Sequence, residues 1–301
     1  MPLQKLRAQL LSTVLGSDEA VNLLLTALLA RGHVLVTGPP GIGKTTLAHT
    51  LATSLGGAFR RVQFTPDLLP SDILGYNLYR QQSGEFEFIA GPVFANLLLA
   101  DEINRASPRT QSSLLEAMNE KQVTIDGTTH PLPNPFLVVA TQNDTSSTGT
   151  FPLPEPQLDR FLLSIPMRLP DDRTQLEILR YHSTREPETV PTTEVISLDD
   201  LRSLQAQSHR IPVSDTLQRY LLSLCQAVRS IVGQDHAVST RATLALQRAS
   251  QAAALLDGQS AVHPDHVQEI FPHVLRHRLI SEATPDADHL LASALEQTPV
   301  P

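Results

Sequence analysis

The sequence is poor in cysteine, in aromatic residues and in basic charge. Its single cysteine, Cys225, cannot form an intrachain disulfide. Aromatic residues make up 4% of the 301 residues, and 23 Lys and Arg stand against 31 Asp and Glu, which gives a net charge of −8. Because contacts with nucleic-acid phosphates require an excess of basic side chains, nucleic acid is not an expected partner of the chain as a whole.

Long apolar runs are also lacking. The run at residues 21–30 is much shorter than the roughly 20 apolar residues that cross a bilayer. A second run, at residues 10–15, follows Lys5 and Arg7 but has no small-residue cleavage site behind it, so we expect no secretory signal. Cys225 lies in an apolar helical pattern and is expected to pack in a core. We therefore expect a chain without a membrane span, located in the cytoplasm.

The chain divides into two parts with different patterns. Up to residue 169, short apolar runs alternate with helical patterns, which predicts a parallel sheet covered by helices. From residue 170 to 301 the pattern is helical throughout, so we predict an α/β domain at 1–169 and a small all-helical domain at 170–301. The predicted strands are residues 33–37, 60–64, 97–100, 136–141 and 161–165, and the predicted later helices are residues 172–184, 198–208, 214–232, 240–256 and 264–280.

Two segments of the first domain read as β-hairpins rather than as part of the alternation. Residues 76–89 place two aromatic arms about the turn Ser83-Gly84, and residues 123–130 place two arms about Asp126-Gly127. Hairpins that project from an α/β core either contact a partner or pack as decoration, and the residues alone favour neither interpretation.

The first predicted strand leads directly into a phosphate-binding loop. The pattern G-x-x-x-x-G-K-[ST], followed by an apolar helix, is typical of the P-loop that binds ATP. Its backbone N–H groups point at phosphate oxygens, its Lys neutralises the β- and γ-phosphates, and its Thr hydroxyl binds Mg²⁺. The predicted nucleotide-binding residues are Gly38, Pro39, Pro40, Gly41, Ile42, Gly43, Lys44, Thr45 and Thr46.

Two carboxylates follow the buried strand predicted at residues 97–100. They are Asp101 and Glu102, and they lie at the carboxyl end of that strand, the edge at which α/β sheets bind ligands. Neighbouring side chains on a strand point in different directions. Asp101 is therefore predicted to be the Walker B acid, which holds Mg²⁺ together with Thr45. Glu102 is predicted to activate the attacking water.

Two further polar residues follow later strands. Asn143 ends the apolar run at residues 136–141 and could contact the γ-phosphate and the attacking water; it could equally be a turn residue. Arg160 precedes the strand predicted at residues 161–165. It could pair with Asp159, or it could reach the γ-phosphate of a neighbouring subunit as an arginine finger.

These motifs together resemble the MoxR family of AAA+ ATPases. The segments GPPGIGKTT, LLLADEINRASPRTQSSLLEAMNEKQVTIDG, VVATQN and FPLPEPQLDRF follow the order and spacing of that family, as do Ser239-Thr-Arg241-Ala and His277-Arg-Leu later in the chain. The resemblance covers nearly the whole chain. The chain departs from the family in Gly-Ile-Gly within the P-loop and in Ala-Val-Ser-Thr before Arg241.

The resemblance implies an AAA+ P-loop core with two β-hairpin inserts, followed by a helical lid. It implies a homohexameric ring in which Arg241 reaches its own subunit's nucleotide from the lid and Arg160 acts across the interface, with Arg105 and Arg109 near that interface. The hairpins would then lie near the pore or the ring face. It also implies a chaperone-like role on a protein client, often beside a partner with a von Willebrand factor A domain.

Two other functions remain possible from the residues. A non-hydrolysing nucleotide-dependent scaffold is disfavoured by Glu102 and Arg160, and a nucleic-acid motor or clamp loader is disfavoured by the acidic charge. Four histidines between His263 and His277 could include a zinc pair at His273 and His277, but the absence of an HExxH motif favours a polar helix face.

Overall fold

The structure is a computed structural model. It describes residues 2–142, 149–183, 194–234, 237–279 and 286–301, without the side chains of residues 181 and 182.

The described strands form one larger sheet and two hairpins. In chain order they are β1 (Val34–Thr37), β2 (Phe59–Gln63), β3 (Gly75–Arg80), β4 (Glu85–Ala90), β5 (Leu97–Asp101), β6 (Gln122–Ile125), β7 (Thr128–Pro131), β8 (Leu137–Gln142) and β9 (Leu163–Pro166).

The described helices alternate with the strands along the sequence up to β9, and only helices follow β9. They are α1 (Pro2–Thr13), α2 (Asp18–Leu29), α3 (Lys44–Ser54), α4 (Pro70–Leu74), α5 (Pro108–Glu120), α6 (Glu155–Leu158), α7 (Asp172–Ser183), α8 (Leu198–Arg210), α9 (Asp215–Val232), α10 (Thr240–Leu256), α11 (Pro264–Leu279) and α12 (Ala287–Gln297).

The larger sheet has five strands in the order β2-β5-β8-β1-β9. β5 pairs in parallel with β2 on one side and with β8 on the other. Every residue of β5 is buried, as are all but the last residues of β8 and β1, which is why these strands read as continuous apolar runs. The parallel sheet and the later helices confirm the fold class, and all five strands begin and end within two residues of the predicted positions.

The chain forms two compact units. One contains Met1–Val21, Leu35–Leu153 and Pro166–Leu198, and the other contains Asn22–Val34, Pro154–Ile165 and Asp199–Pro301. The division between residues 169 and 170 expected from the sequence stays a prediction.

The two predicted hairpins are present, and they contact each other. β3 pairs with β4, and β6 pairs with β7, both antiparallel. The ring of Phe88 on β4 stacks on the ring of His130 on β7 at a centroid distance of 3.9 Å. Asn77 Nδ2 on β3 donates to Asp126 Oδ2 in the turn between β6 and β7, at 2.8 Å. The hairpins are therefore joined by an aromatic stack and a hydrogen bond, which the sequence did not predict.

Four helices of the second unit pack around a shared core. α10 contacts α9 and α11, and α12 contacts α9 and α11. The N-cap of α9 is Ser214, whose side chain accepts from Leu217 N, and the helix ends at Gly233 in the left-handed conformation. Cys225 lies on the buried face of α9, as predicted, where Thr243 Oγ1 donates to its sulfur at 3.5 Å. Burial raises the pKa of this thiol above its ordinary value.

No helix in the described part of the chain is both long enough and apolar enough to cross a membrane.

Candidate active site

The loop between β1 and α3 is shaped by glycines in conformations that other residues rarely adopt. Gly38, Gly41 and Gly43 have φ values of 142°, 81° and 92°. A Cβ atom on Gly38 would lie 2.3 Å from the carbonyl oxygen of Met167, which excludes any side chain there. The sequence therefore needs glycine at this position for the loop to turn tightly from the strand into the helix.

Lys44 is the first residue of α3 and is buried, with 7% of its surface exposed. Its Nζ atom donates to the carbonyl oxygen of Gly38 at 2.6 Å and to that of Pro39 at 3.3 Å, so the ammonium group lies across its own loop. No side chain caps the N-terminus of α3. The positive end of the helix dipole and the N–H groups of its first turn are arranged as in an anion-binding site.

Asp101 is held at the carboxyl end of β5 by two neighbouring strands. Thr141 Oγ1 on β8 donates to its Oδ1 at 2.6 Å, and Arg61 on β2 donates to its Oδ2 from Nη2 at 2.7 Å and from Nε at 3.2 Å. The side chain of Asp101 is only 10% exposed. Its carboxylate is thus fixed in position by charge-assisted hydrogen bonds.

Glu102 turns away from the strand because its backbone is left-handed, with φ 56° and ψ 51°. This conformation is uncommon for a residue with a Cβ atom, and it begins a short 3-10 helix over Ile103–Arg105. Oε2 of Glu102 accepts from Gln63 Nε2 at 3.1 Å and from Arg105 Nη1 at 2.9 Å. Its backbone N–H donates to Thr141 Oγ1 at 2.8 Å. The two adjacent carboxylates therefore accept from different side chains, and Thr141 contacts both residues.

The sheet order brings three of the predicted motifs to neighbouring strands. β8 lies between β1, which precedes the P-loop, and β5, which ends in Asp101. Asn143 directly follows β8 but lies outside the described residues. Its role as a sensor stays a prediction.

Sequence reasoning missed Arg61, Gln63 and Thr141. β2 and β5 are paired so that Gln63 lies opposite Asp101, which places alternate polar side chains of β2 beside the two carboxylates. The pattern Arg-x-Gln at the end of a strand was a usable signal, but its meaning depends on β2 being the neighbour of β5.

A second cluster of polar residues surrounds Asp159. Arg278 Nε donates to Asp159 Oδ1 at 2.8 Å, and Ser239 Oγ lies 3.0 Å from Oδ2. Arg241 Nη1 lies 3.6 Å from Oδ2, and its side chain is 53% exposed. Arg160 is half-buried in the turn between α6 and β9. Asp159 therefore forms ion pairs with two arginines of later helices.

Arg278 is a positioning residue, and it lies in the segment His277-Arg-Leu to which the sequence assigned no role. Its side chain is 4% exposed, and its guanidinium group also donates to the carbonyl oxygens of Phe161 at 2.7 Å and Leu162 at 3.2 Å. Burial lowers its pKa from the ordinary value, which the hydrogen bond to Asp159 opposes. Because Asp159 and Phe161 flank Arg160, Arg278 fixes the backbone on both sides of the predicted arginine finger.

Ser239 links the same cluster to the start of α10. Its hydroxyl oxygen accepts from Ala242 N at 3.0 Å as the N-cap of α10, and the hydroxyl group also contacts Asp159. Arg241, in the first turn of α10, is therefore anchored at its backbone while its side chain remains largely exposed.

Profiles of known families match the two parts of the chain. Residues 33–163 match the ATPase family associated with various cellular activities (AAA), and residues 232–298 match the AAA lid domain. Chaperone MoxR1 of Mycobacterium tuberculosis is 42% identical over 89% of this chain and 72% of its own length. Protein MoxR of Methylorubrum extorquens is 31% identical over 91% of this chain and 86% of its own length.

The chain belongs to the MoxR family of AAA+ ATPases. A crystal structure of a candidate ATPase from Cytophaga hutchinsonii superposes on the whole chain and on 95% of the other protein, with a TM-score of 0.89 and 35% identity. This MoxR-family chain is therefore a nucleotide-binding ATPase with an AAA+ core and a helical lid.

Two of the four histidines between His263 and His277 in this MoxR-family lid do not lie on the polar helix face that the sequence favours. His266 and His277 are buried, with 6% and 2% of their surfaces exposed. His266 Nδ1 accepts from His263 N at 3.0 Å, and His277 Nε2 lies 3.3 Å from the carbonyl oxygen of Phe161. In the described ranges, no three His, Cys, Asp or Glu side chains are grouped to hold a metal ion.

Burial of His277 gives the MoxR-family fold a pH dependence. Burial, and then the charge of Arg278, lower the pKa of His277 well below its ordinary value of 6.5. Below pH 6.5 the unfolded chain binds a proton at this residue that the folded chain does not bind. Unfolding then takes up a proton, so the free energy of unfolding decreases as the pH falls.

We expect His277→Gln to remove part of this acid sensitivity. Between pH 7.5 and 5.5, its free energy of unfolding should fall by about 1.4 kcal/mol less than that of the wild type, which is one proton over one pH unit below 6.5. Urea unfolding at both pH values measures the difference. His289→Gln, at an exposed histidine of α12, is the control and should behave as the wild type. An equal decrease in the free energy of unfolding of all three proteins would contradict the role of His277 in the acid sensitivity.

Proposed function

We propose that this chain is a chaperone-like remodeller. It hydrolyses ATP at the subunit interfaces of a homohexameric ring and uses that energy to remodel, mature or activate a protein client in the cytoplasm. The family supports the ATPase activity, and the name of the relative Chaperone MoxR1 supports the chaperone-like role.

The observation that carries the catalytic part is the separate anchoring of Asp101 and Glu102. Asp101 is held by Arg61 on β2 and Thr141 on β8, whereas Glu102, with its left-handed backbone, accepts from Gln63 and Arg105. Adjacent carboxylates with different partners can take different roles, one binding a metal and the other accepting a proton. This arrangement supports hydrolysis rather than nucleotide binding alone.

The residues near the P-loop fit Mg²⁺ and the phosphates of ATP. Thr45 and Asp101 offer a hydroxyl and a carboxylate, the oxygen ligands that Mg²⁺ prefers. When held by Thr45 and Asp101, Mg²⁺ would supply positive charge that offsets the negative charge of the phosphates. Lys44, which donates to two carbonyl oxygens of its own loop, would turn to the β- and γ-phosphates, and the N–H groups from Gly41 to Thr46 would bind phosphate oxygens.

Glu102 would orient the attacking water and accept its proton, with Asn143 as a second contact for that water. For this role the carboxylate of Glu102 has to exchange Arg105 and Gln63 for the water. In the structure the side chains of Arg105 and Gln63 both donate to this carboxylate.

Arg160 and Arg241 would complete the site with positive charge. The exposed side chain of Arg241 would contact the γ-phosphate of its own subunit, and Arg160 would act on that of the neighbour. The cluster around Asp159 supports this assignment, since it fixes the backbone beside both arginines.

The hairpin of β3 and β4 is the candidate client-binding element. Tyr76, Tyr79 and Phe86 are 48%, 52% and 72% exposed, and the rings of Tyr79 and Phe86 lie 5.3 Å apart. Exposed apolar patches of this kind mark contacts with other proteins. A partner with a von Willebrand factor A domain would belong to the same assembly.

The remodelling role is tested by trapping the client. Glu102→Gln, tagged and incubated with ATP, should retain the client, because a ring that binds ATP without hydrolysing it stays in its client-bound state. The double variant Lys44→Ala/Glu102→Gln is the control and should retain none. The captured protein, purified, should then change its protease sensitivity when wild type and ATP are added together. A captured protein that ATP and wild type leave unchanged would contradict remodelling.

A further inference from the structure

Both carboxylate oxygens of Asp101 have protein hydrogen-bond partners. Oδ1 accepts from the hydroxyl of Thr141 at 2.6 Å, and Oδ2 accepts from two nitrogens of Arg61 at 2.7 and 3.2 Å. The Thr141 hydroxyl is an uncharged group, and it also accepts from the backbone N–H of Glu102. Arg61 is different, because it brings a full positive charge to Oδ2 of Asp101.

The contact between Arg61 and Asp101 follows from the pairing of β2 with β5. Arg61 lies two residues before Gln63, which is paired with Asp101 across β2 and β5, so the side chains of Arg61 and Gln63 emerge on the same face beside Asp101. Nε and Nη2 both donate to a single oxygen. The guanidinium group cannot lose its charge near neutral pH, so only movement of the side chain frees that oxygen.

The side chain of Arg61 is far more exposed than that of Asp101. Half of the Arg61 side chain is exposed (51%), while that of Asp101 is 10% exposed and tied to β8. An ion pair with one half-exposed side chain is partly screened by water, so its rupture costs less free energy than that of a fully buried pair. The contact is therefore strong enough to place a cation on Asp101 and weak enough to be exchanged.

We propose that Arg61 is a resident counter-ion of Asp101 that competes with the divalent cation for this carboxylate. A guanidinium group and Mg²⁺ cannot both approach Oδ2 closely, because their charges repel each other. Arg61 thereby raises the Mg²⁺ concentration at which the chain binds nucleotide tightly. The proposal rests on the proposed role of Asp101 as a metal ligand.

The test is the Mg²⁺ dependence of nucleotide binding by the full chain. The dissociation constant of the non-hydrolysable ATP analogue AMP-PNP is measured by calorimetry over a series of free Mg²⁺ concentrations. In Arg61→Gln the Mg²⁺ concentration for half of the gain in affinity should fall about two- to fivefold, since an ion pair at the surface changes an equilibrium constant by up to about fivefold. Affinity without Mg²⁺ should stay equal to that of the control.

Arg60→Gln is the matched control. Arg60 is the preceding residue on β2, carries the same charge and donates to the backbone oxygen of Phe59. It should leave the Mg²⁺ midpoint as in the wild type, which separates the contact with Asp101 from a general loss of positive charge. Arg61→Lys, which keeps the charge but not the paired donors, should lie between the wild type and Arg61→Gln.

Asp101→Asn distinguishes failure of this proposal from failure of the proposed function. If Asp101→Asn keeps the Mg²⁺ dependence of the wild type, Asp101 is not a metal ligand and the proposed function is wrong at this residue. If Asp101→Asn loses that dependence but Arg61→Gln and Arg61→Lys have the midpoint of Arg60→Gln or a higher one, the counter-ion role of Arg61 is overturned.

Discussion

Replacing Glu102 with Gln is expected to lower the rate of ATP hydrolysis about 100-fold or more, the usual contribution of a general base. Gln has the same size and can still contact Gln63 and Arg105, but it cannot accept a proton from water. Nucleotide binding should be preserved because Lys44, Thr45 and Asp101 are unchanged. Phosphate release gives the turnover, and fluorescent ATP binding gives the affinity.

Glu116→Gln is the control for this variant. Glu116 is exposed on α5, and its substitution makes the same change of charge away from the P-loop. It should hydrolyse ATP as the wild type does. Hydrolysis at the wild-type rate in Glu102→Gln would remove Glu102 from the catalytic role, whereas loss of ATP binding would assign it to the binding site.

Replacing Arg160 with Ala is expected to abolish nearly all turnover, since an arginine finger contributes about 10³-fold or more to phosphoryl transfer. Mixing this variant with Lys44→Ala should restore activity if the finger acts between subunits, because each variant then supplies what the other lacks. Random mixing in equal amounts should make about a quarter of the interfaces of a closed ring productive. Phosphate release by the mixture, compared with each variant alone, is the measurement.

Two controls define the result. Arg168→Ala, at an exposed arginine after β9, should remain active alone. Arg241→Ala mixed with Lys44→Ala should stay inactive, since Arg241 is proposed to act on its own subunit's nucleotide. No restored activity in the Arg160 mixture would place Arg160 in its own subunit's site or outside the site.

The sequence predicts best those strands and hairpins whose formation depends on residues close together in the chain. The strands β1, β5 and β8 are unbroken apolar runs because both faces are covered, and each hairpin contains a turn dipeptide between β-type arms. α12 was missed because two of its four buried residues, Ala287 and Ala294, are small, so only Leu290 and Leu291 carry a visible apolar stripe. Short alanine-rich helices give a weak periodic signal.

The same distinction applies to the site. The P-loop and the pair Asp101-Glu102 are contiguous motifs, so their chemistry can be inferred before the fold is known. Arg61 lies 40 positions from Asp101, and Arg278 lies 119 positions from Asp159. Such partners follow from strand order and helix packing, which no local pattern specifies. For that reason the sequence motifs predict candidate reacting groups, whereas the residues that hold those groups in place are found only in the structure.

The burial of Cys225 has a practical consequence for labelling this protein with fluorescent dyes. A thiol that is buried and has a raised pKa forms little thiolate, and the thiolate is the form that maleimide dyes attack. A cysteine introduced at exposed Ser83, in the turn of the β3–β4 hairpin, would therefore react far faster than the native one. The wild-type background is already suited to site-specific fluorescence, with no native residue to remove.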